Sequence, residues 1–357
     1  MKRFTAVLAS AAALTGLVTC AASGAPFASS AVQPLLNDSS FFHETAATGI
    51  RAQSCADASG EPVSFSKVSL AATPLTAAQI TALSKRLPAG ADFAGGWELN
   101  SDDPNFGGLS GLALAEDNLL AVTDAGGWVA LGLIDGAPAS AAIAYMKGAD
   151  GRFLSGKTEN DAEGLAWRDG IAFVSYERDF RVEAFDLGSC GAAARAVRVA
   201  ALPGEFAAKP VDANSGPEAL ALTPEGALLF GYEGLADATS PIGQVLADGT
   251  GRWTGRLAGN PKGFALVAMD TVRLPSGEDR EITLYRAFDP IRGARTVLVW
   301  GDGEAQRLTL SRPVLTDNFE GLAADVLPDG RLRLWIVSDN NFSKLQRTLL
   351  YAFEVRP

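Results

Sequence analysis

The chain has 357 residues, 47% hydrophobic and 20% charged, an ordinary globular balance that excludes disorder as the default and supports a large core. Its 41 acidic against 30 basic residues give a net charge of −11, which repels phosphate backbones and argues against nucleic acid as a partner. The 38 glycines and 18 prolines are spread along the chain, as expected of many short elements joined by turns.

The first elements are those of export. Lys2 and Arg3 precede an apolar, small-residue run from Ala6 to Val18, followed by Ala/Ser/Gly-rich sequence between Ala21 and Ala31. This predicts a signal peptide over about residues 1–25, cleaved between about 21 and 31. No later stretch approaches the roughly 18 uninterrupted apolar residues of a membrane-spanning helix, so a soluble periplasmic or secreted protein is expected. Cys20, behind Leu17, Val18 and Thr19, loosely resembles a lipoprotein box with a poorly fitting Thr, and lipid anchoring there is the weaker alternative. Cys55 and Cys190 remain after cleavage, and an oxidising compartment would let them pair; two unrelated free thiols are the alternative. Residues 32–61 are polar and weakly patterned, which predicts an irregular lead-in to a single domain over residues 62–357.

Within that domain the sequence repeats itself. SGLALAEDNLLAVTD from Ser110, EGLAWRDGIAFVSYE from Glu163, EALALTPEGALLFGYE from Glu218 and EGLAADVLPDGRLRLWIVSD from Glu320 share one grammar. Each has a polar start, Gly or Ala, Leu, Ala, a turn, an apolar run and a terminal acid. The starts are 53, 55 and 102 residues apart, so one copy is missing from the last interval. A degenerate one, GFALVAMDTVRLPSGE from Gly263 continuing to ITLYRAF, fits the gap and brings the units to five.

A period near 50 with strand-turn-strand content predicts an all-β fold, a single β-propeller. Apolar runs such as IAFVSY from Ile171 and LRLWIV from Leu332 read as strands covered on both faces, with Trp167, Trp300 and Trp335 in the core. A sixth blade is expected from the VSFSKVSL segment at Val63 and the GGWEL segment at Gly95, closed by LLYAFEV from Leu349. Six blades are therefore expected, with five or seven as alternatives.

Each unit is a hairpin, so its first and last polar residues lie at one end of the blade. Glu163 pairs in this way with Glu177, Glu218 with Glu233, Glu320 with Asp339 and Ser110 with Asp124. Blades around one axis would gather these acids at one mouth, where carboxylates must be protonated, paired with Arg or Lys, or bound to a cation. Ca²⁺ accepts oxygen ligands alone, so Glu163, Glu218, Glu320 and Asp339 are the expected ligands, with amides such as Asn214, Asn318 and Asn340 nearby. Acids at strand ends also cap turns and bind backbone amides, so a purely structural role for any one of them stays open.

The single histidine, His43, lies in the lead-in, which removes the central residue of Ser-His-Asp, Cys-His, zinc-histidine and histidine-phosphatase chemistry from the repeats. GLSGL at Gly108 lacks the second glycine of a nucleophile elbow, and P-loop and dinucleotide fingerprints are absent. Hydrolysis would then need a metal-activated water, a carboxylate base such as Glu177 or Asp339, or cationic stabilisation. Arg178, Arg181, Arg286, Lys344 and Arg347 follow or end the repeat hairpins; Arg178 and Arg286, with Asp124, Glu233 and Asn340, are the expected substrate contacts, and neutralisation of nearby acids is the alternative.

DAEGLAW at Asp161, the Tyr-Glu-Arg of YERDFRVEAFD from Tyr176, DNFEGLA at Asp317 and SDNNFSKLQRTLLYAFEV from Ser338 resemble the phytase-like, "esterase-like activity of phytase" family, over about Val63 to Val355. The resemblance implies a secreted bacterial propeller with esterase or phosphoesterase activity, and it implies Glu163, Glu177, Glu320, Asp339 and Asn340 as site residues. Ser110 departs from the acidic pattern. The expectation is an exported monomeric hydrolase that uses Ca²⁺ on a small ester or phosphoester. A lactonase-like propeller and a non-catalytic periplasmic propeller binding a ligand or protein are the alternatives.

Overall fold

The computed structural model describes residues 44–56, 60–235, 239–303 and 306–357; the expected signal peptide, Cys20 and His43 lie outside them. Among the described residues five antiparallel sheets of four or five strands, each led by one repeat hairpin, make up the fold, with a sixth, two-stranded sheet outside them. Their innermost strands are Leu109–Ala115, Ala162–Arg168, Ala219–Leu222, Ala265–Arg273 and Asn318–Val326. Each packs against the next and the fifth packs against the first, so the sheets close into a five-bladed propeller. The degenerate repeat is the fourth blade, its hairpin turning at Leu274 to Glu278.

The sixth blade is not formed. Ser66–Val68 instead pairs with Ala137–Tyr145 as an outermost strand of the first blade. Ala91–Asn100 pairs with Thr348–Val355, and Ala71–Pro74 pairs outside it, so the N-terminal strands complete the fifth blade. The reason lies in strand number: the last repeat supplies only three strands, and an N-terminal strand is needed to make its sheet as wide as the others. The expected closure by LLYAFEV therefore occurs, and it joins the first part of the chain to the last without an added blade.

Five hydrophobic clusters fill the five gaps between neighbouring blades. Phe173 and Val182 meet Phe230 and Tyr232 between blades two and three, and Leu284 and Trp300 meet Phe319 and Tyr351 between blades four and five. Sheets sandwiched in this way are covered on both faces, which is why the second strands read as continuous apolar runs. Trp300 and Trp335 are buried and Trp167 is partly buried, as core residues.

A helix, Glu44–Ser54, stands where an irregular lead-in is expected. Eleven residues are too few to hold a helix by propensity alone, and docking supplies the rest. Ile50 is buried with Ala46, Arg51 Nε lies 3.1 Å from Asp186 Oδ2, and Ser54 Oγ donates to the Arg195 carbonyl at 2.8 Å. Cys55 and Cys190 form a disulfide with Cα atoms 5.5 Å apart, tying the helix to the second blade across 135 residues of sequence. Replacing both cysteines with serine is expected to cost about 2–4 kcal/mol. Limited proteolysis should then cut residues 44–60 before the propeller; an unchanged cleavage pattern would show that docking does not need the bridge.

Candidate functional site

The acid-bearing ends of the inner strands are built by two local devices. The first is a register slip where three of the strands start: between Leu109 and Gly111, between Ala162 and Leu165, and between Phe319 and Gly321. Ser110, Glu163 and Glu320 occupy those slips, and a bulge re-aims the residue it contains, here away from the regular pleat. The second device is the glycine that follows Ser110, Glu163 and Glu320; Glu218 is followed by Ala219 and has neither device. A Cβ on Gly111 would lie 2.3 Å from the Glu163 carbonyl oxygen, and one on Gly164 would lie 2.9 Å from the Glu218 carbonyl oxygen. Neighbouring inner strands thus approach closely enough to bring Glu163 and Glu218 side by side. Ser110, Glu163, Glu177, Glu218, Glu320 and Asp339 are all buried among the described residues.

Arg286, at the end of the degenerate repeat's second strand, stands among three of the acids. Its Nη1 binds Glu320 Oε1 and lies 3.0 Å from Asn318 Oδ1; its Nη2 lies 3.0 Å from Glu233 Oε1 and 4.0 Å from Glu218 Oε1. Asn318 Nδ2 also donates to Glu320 Oε1, at 2.8 Å. Burial alone would ease the proton off Arg286, but Glu218 and Glu233 more than offset it and hold the guanidinium charged. Its donors are thereby occupied by protein carboxylates, so Arg286 is placed to organise the mouth; the expected substrate contact would have to displace one of them.

On the other side of the mouth Asp161, Glu163 and Glu177 bring carboxylate oxygens within 4.8 Å of one another. Arg178 Nε lies 2.6 Å from Asp161 Oδ2, its Nη2 donates to Asn214 Oδ1 at 2.7 Å, and Lys157 Nζ is 3.9 Å from Asp161. Among the described residues Glu163 and Glu177 have no ion-pair partner within 4.0 Å. Burial, then the charges of Glu218, Glu177 and Asp161, push the Glu163 carboxyl well above its ordinary range. Burial and the Asp161 charge raise Glu177 to about 7, and burial raises Glu218 to about 8 even with Arg286 opposing.

The fifth and first blades meet at a third group. Asp339 is raised to about 6 by burial, against the Asn341 amide, which donates to its Oδ1 at 2.6 Å. Asp124 lies near enough to Asp339 to add to that rise; it is itself raised by burial, and its Oδ1 is buried with no hydrogen-bond partner. Asn340 Oδ1 accepts from the Gly108 and Phe342 amides, both at 3.0 Å. Its carboxamide oxygen therefore braces the loop after Asp339, a loop in which Asn341 and Phe342 both have φ of 49°. That bracing is a different role from the expected substrate contact.

The four acids expected as one ligand set are thus divided. Glu163 sits in the trio, Glu320 and Glu218 face Arg286, and Asp339 lies toward Asp124. Asp161 was not expected as a site residue, although it stands two positions before Glu163 in DAEGLAW; the register slip between Ala162 and Leu165, which no sequence pattern marks, brings the two together. Asn214, expected as an amide oxygen near the acids, instead accepts from Arg178, a partnership that no sequence pattern marks.

A family model described as phytase-like, esterase-like activity of phytase, matches residues 104–342. No curated protein matches the chain. Among solved structures, the PQQ-bound aldose sugar dehydrogenase of Streptomyces coelicolor is 14% identical with a TM-score of 0.41, over 76% of this chain and 100% of that one. Myxococcus xanthus glutaminyl cyclase is 14% identical with a TM-score of 0.40, over 75% and 97%. The Myceliophteria thermophila Cps50 (Swd1) β-propeller domain is 10% identical with a TM-score of 0.34, over 83% and 98%. Similarity this loose says nothing about chemistry, whereas the family match spans blades one to five and every acid of the mouth: the chain belongs to the phytase-like, esterase-like activity of phytase, family.

Proposed function

We propose that this chain is an exported hydrolase of an ester or phosphoester that works with a divalent cation, Ca²⁺ by donor type, at the acidic mouth of the propeller. The observation that carries the reading is the trio Asp161, Glu163 and Glu177, three oxygen donors within 4.8 Å of one another of which two lack a cationic partner. Carboxylates crowded and buried in this way favour a hard cation, and the set contains no soft ligand.

A cation held by Asp161, Glu163 and Glu177 would polarise an ester oxygen and make a bound water more acidic. The remaining roles belong to side chains of the mouth. Asp339, raised to about 6, is ionised at neutral pH and basic enough to take a proton from water. Glu218, raised to about 8, is protonated there and able to give one to a leaving group. Arg178, with Nε and Nη2 fixed by Asp161 and Asn214, keeps Nη1 for an anionic oxygen. The disulfide suits an oxidising compartment, and no helix among the described residues is long and apolar enough to cross a membrane.

The test is protein stripped with chelator, reloaded with Ca²⁺ and assayed on a phosphomonoester, a short acyl ester and a lactone. Asp339→Asn is expected to lower kcat by about 100-fold or more while the protein retains its cation. Glu163→Gln is expected to lose both cation and activity. Turnover of none of the three substrates, with melting unchanged by chelator, would overturn the proposal.

A further inference from the structure

The connection between the second and third blades does more than join them. Glu205–Phe206 and Lys209–Pro210 form a small hairpin whose two turn residues, Ala207 and Ala208, have φ of 50° and 60°. Two-residue turns of that shape are normally built with Asn or Gly, so an alanine pair is strained and must be held by its surroundings. The holding groups are aromatic. Trp253 Nε1 donates to the Glu205 carbonyl at 2.8 Å, the Phe206 ring meets Trp253 edge-on at 5.4 Å, and Trp253 rests on Tyr232 at 4.8 Å.

Between this clamped hairpin and the segment at Gly234 lies a pocket of about 470 Å³, lined by apolar atoms of Phe206, Ala207, Pro210, Val211 and Leu235. Its volume falls within the range of about 300–1,000 Å³ typical of small-molecule sites. Its polar end is the edge of the acidic mouth. Asp212 accepts from the Asn214 amide at 2.8 Å, and Asn214 holds Arg178. Ser215 precedes Gly216, where a Cβ would lie 2.9 Å from Glu177 Cγ, and Gly234 follows Glu233, the partner of Arg286.

We infer that this pocket receives the acyl chain of a carboxylic ester whose carbonyl is presented to the acids, so that the substrates are medium-chain esters and not polyanionic phosphoesters. The inference rests on the hydrolase reading above and narrows its substrate class. The lining supports the choice: among the described residues its charged groups are one lysine, Lys209, and one aspartate, Asp212, too little positive charge to gather phosphates, whereas the apolar wall is preformed and strained into place. Hydrolysis of such an ester consumes one water, breaks the acyl C–O bond, and yields a fatty acid and an alcohol.

The experiment compares p-nitrophenyl acetate, butyrate and octanoate, with p-nitrophenyl phosphate, on the Ca²⁺-loaded protein. Binding of octanamide and acetamide, neutral and unreactive mimics, is measured in parallel by calorimetry. Burying two or more additional methylenes should raise kcat/KM from acetate to octanoate by more than about tenfold. Val211→Trp, which fills the pocket, should bring the octanoate-to-acetate ratio near one, and Leu235→Ala, which strips one wall and is less exposed to misfolding, should lower it severalfold. Turnover of acetate with no chain-length preference and no octanamide binding overturns the inference. Octanamide binding abolished by Val211→Trp, with no ester hydrolysed, keeps the pocket and sinks the hydrolase reading instead. Preferential turnover of the phosphate ester overturns the choice of substrate class.

Discussion

Arg286→Met is expected to lower the melting temperature at pH 8 by roughly 5–10 °C, a loss of about 3 kcal/mol. The guanidinium faces Glu320, Glu233 and Glu218, two of them buried, and methionine keeps the apolar stem while removing the only cation in contact with all three among the described residues. Replacing a whole buried ion pair by apolar residues is often neutral, but deleting one partner leaves the others charged and unsolvated. The loss should shrink at pH 5, where the raised Glu218 carboxyl is protonated, and Arg286→Lys should recover only part of it because a point charge does not span three acceptors. Thermal melts at both pH values decide this; equal melting of variant and parent at pH 8 would show that Arg286 does not hold the mouth together.

In chelator, the parent protein is expected to lose stability steadily as pH rises from 5 to 9. Glu177 and Glu218 rise from 4.5 to about 7 and about 8, and Asp339 rises from 3.8 to about 6. A carboxyl raised on folding favours the protonated folded state, so its stabilisation is complete below its unfolded value and is lost as pH passes through its folded one. The loss therefore runs from about pH 4.5 up to about pH 8, between the unfolded and folded values, and the three groups together amount to several kcal/mol. Ca²⁺ should restore the melting temperature most above pH 7, and its binding near pH 6.5 should release protons from Glu163 and Glu177. Melting scans with and without chelator, and calorimetry in two buffers of different ionisation enthalpy, measure both effects. A melting temperature that climbs with pH in chelator would sink the expectation.

The outcome separates what lies in residue order from what lies in space. The repeat grammar made the hairpins, their number and their acid-bearing ends legible, because each hairpin is set by local pattern, turn chemistry and strand length. Even the degenerate copy is recognisable at Gly263, and it proved to carry Arg286. The Gly after Ser110, Glu163 and Glu320 is likewise visible, although its reason, the close approach of Gly111 to Glu163 and of Gly164 to Glu218, belongs to pairs of blades. The helix Glu44–Ser54 was illegible for a different reason: it is stabilised by docking and by a disulfide 135 residues distant, contacts that leave no periodic trace.

By itself, then, the sequence determined an all-β propeller with acids at one end of every hairpin except that of the fourth blade, since period, alternation and turn residues are local properties. Whether the N-terminal strands add a blade or complete one was decided only when Ala91–Asn100 met Thr348–Val355, a pairing that covers the open edge of the three strands the last repeat supplies. The division of the acids was decided there too. Which carboxylates share Arg286 and which are left to one another depends on distances across the axis, and charge acts through space, not along the chain.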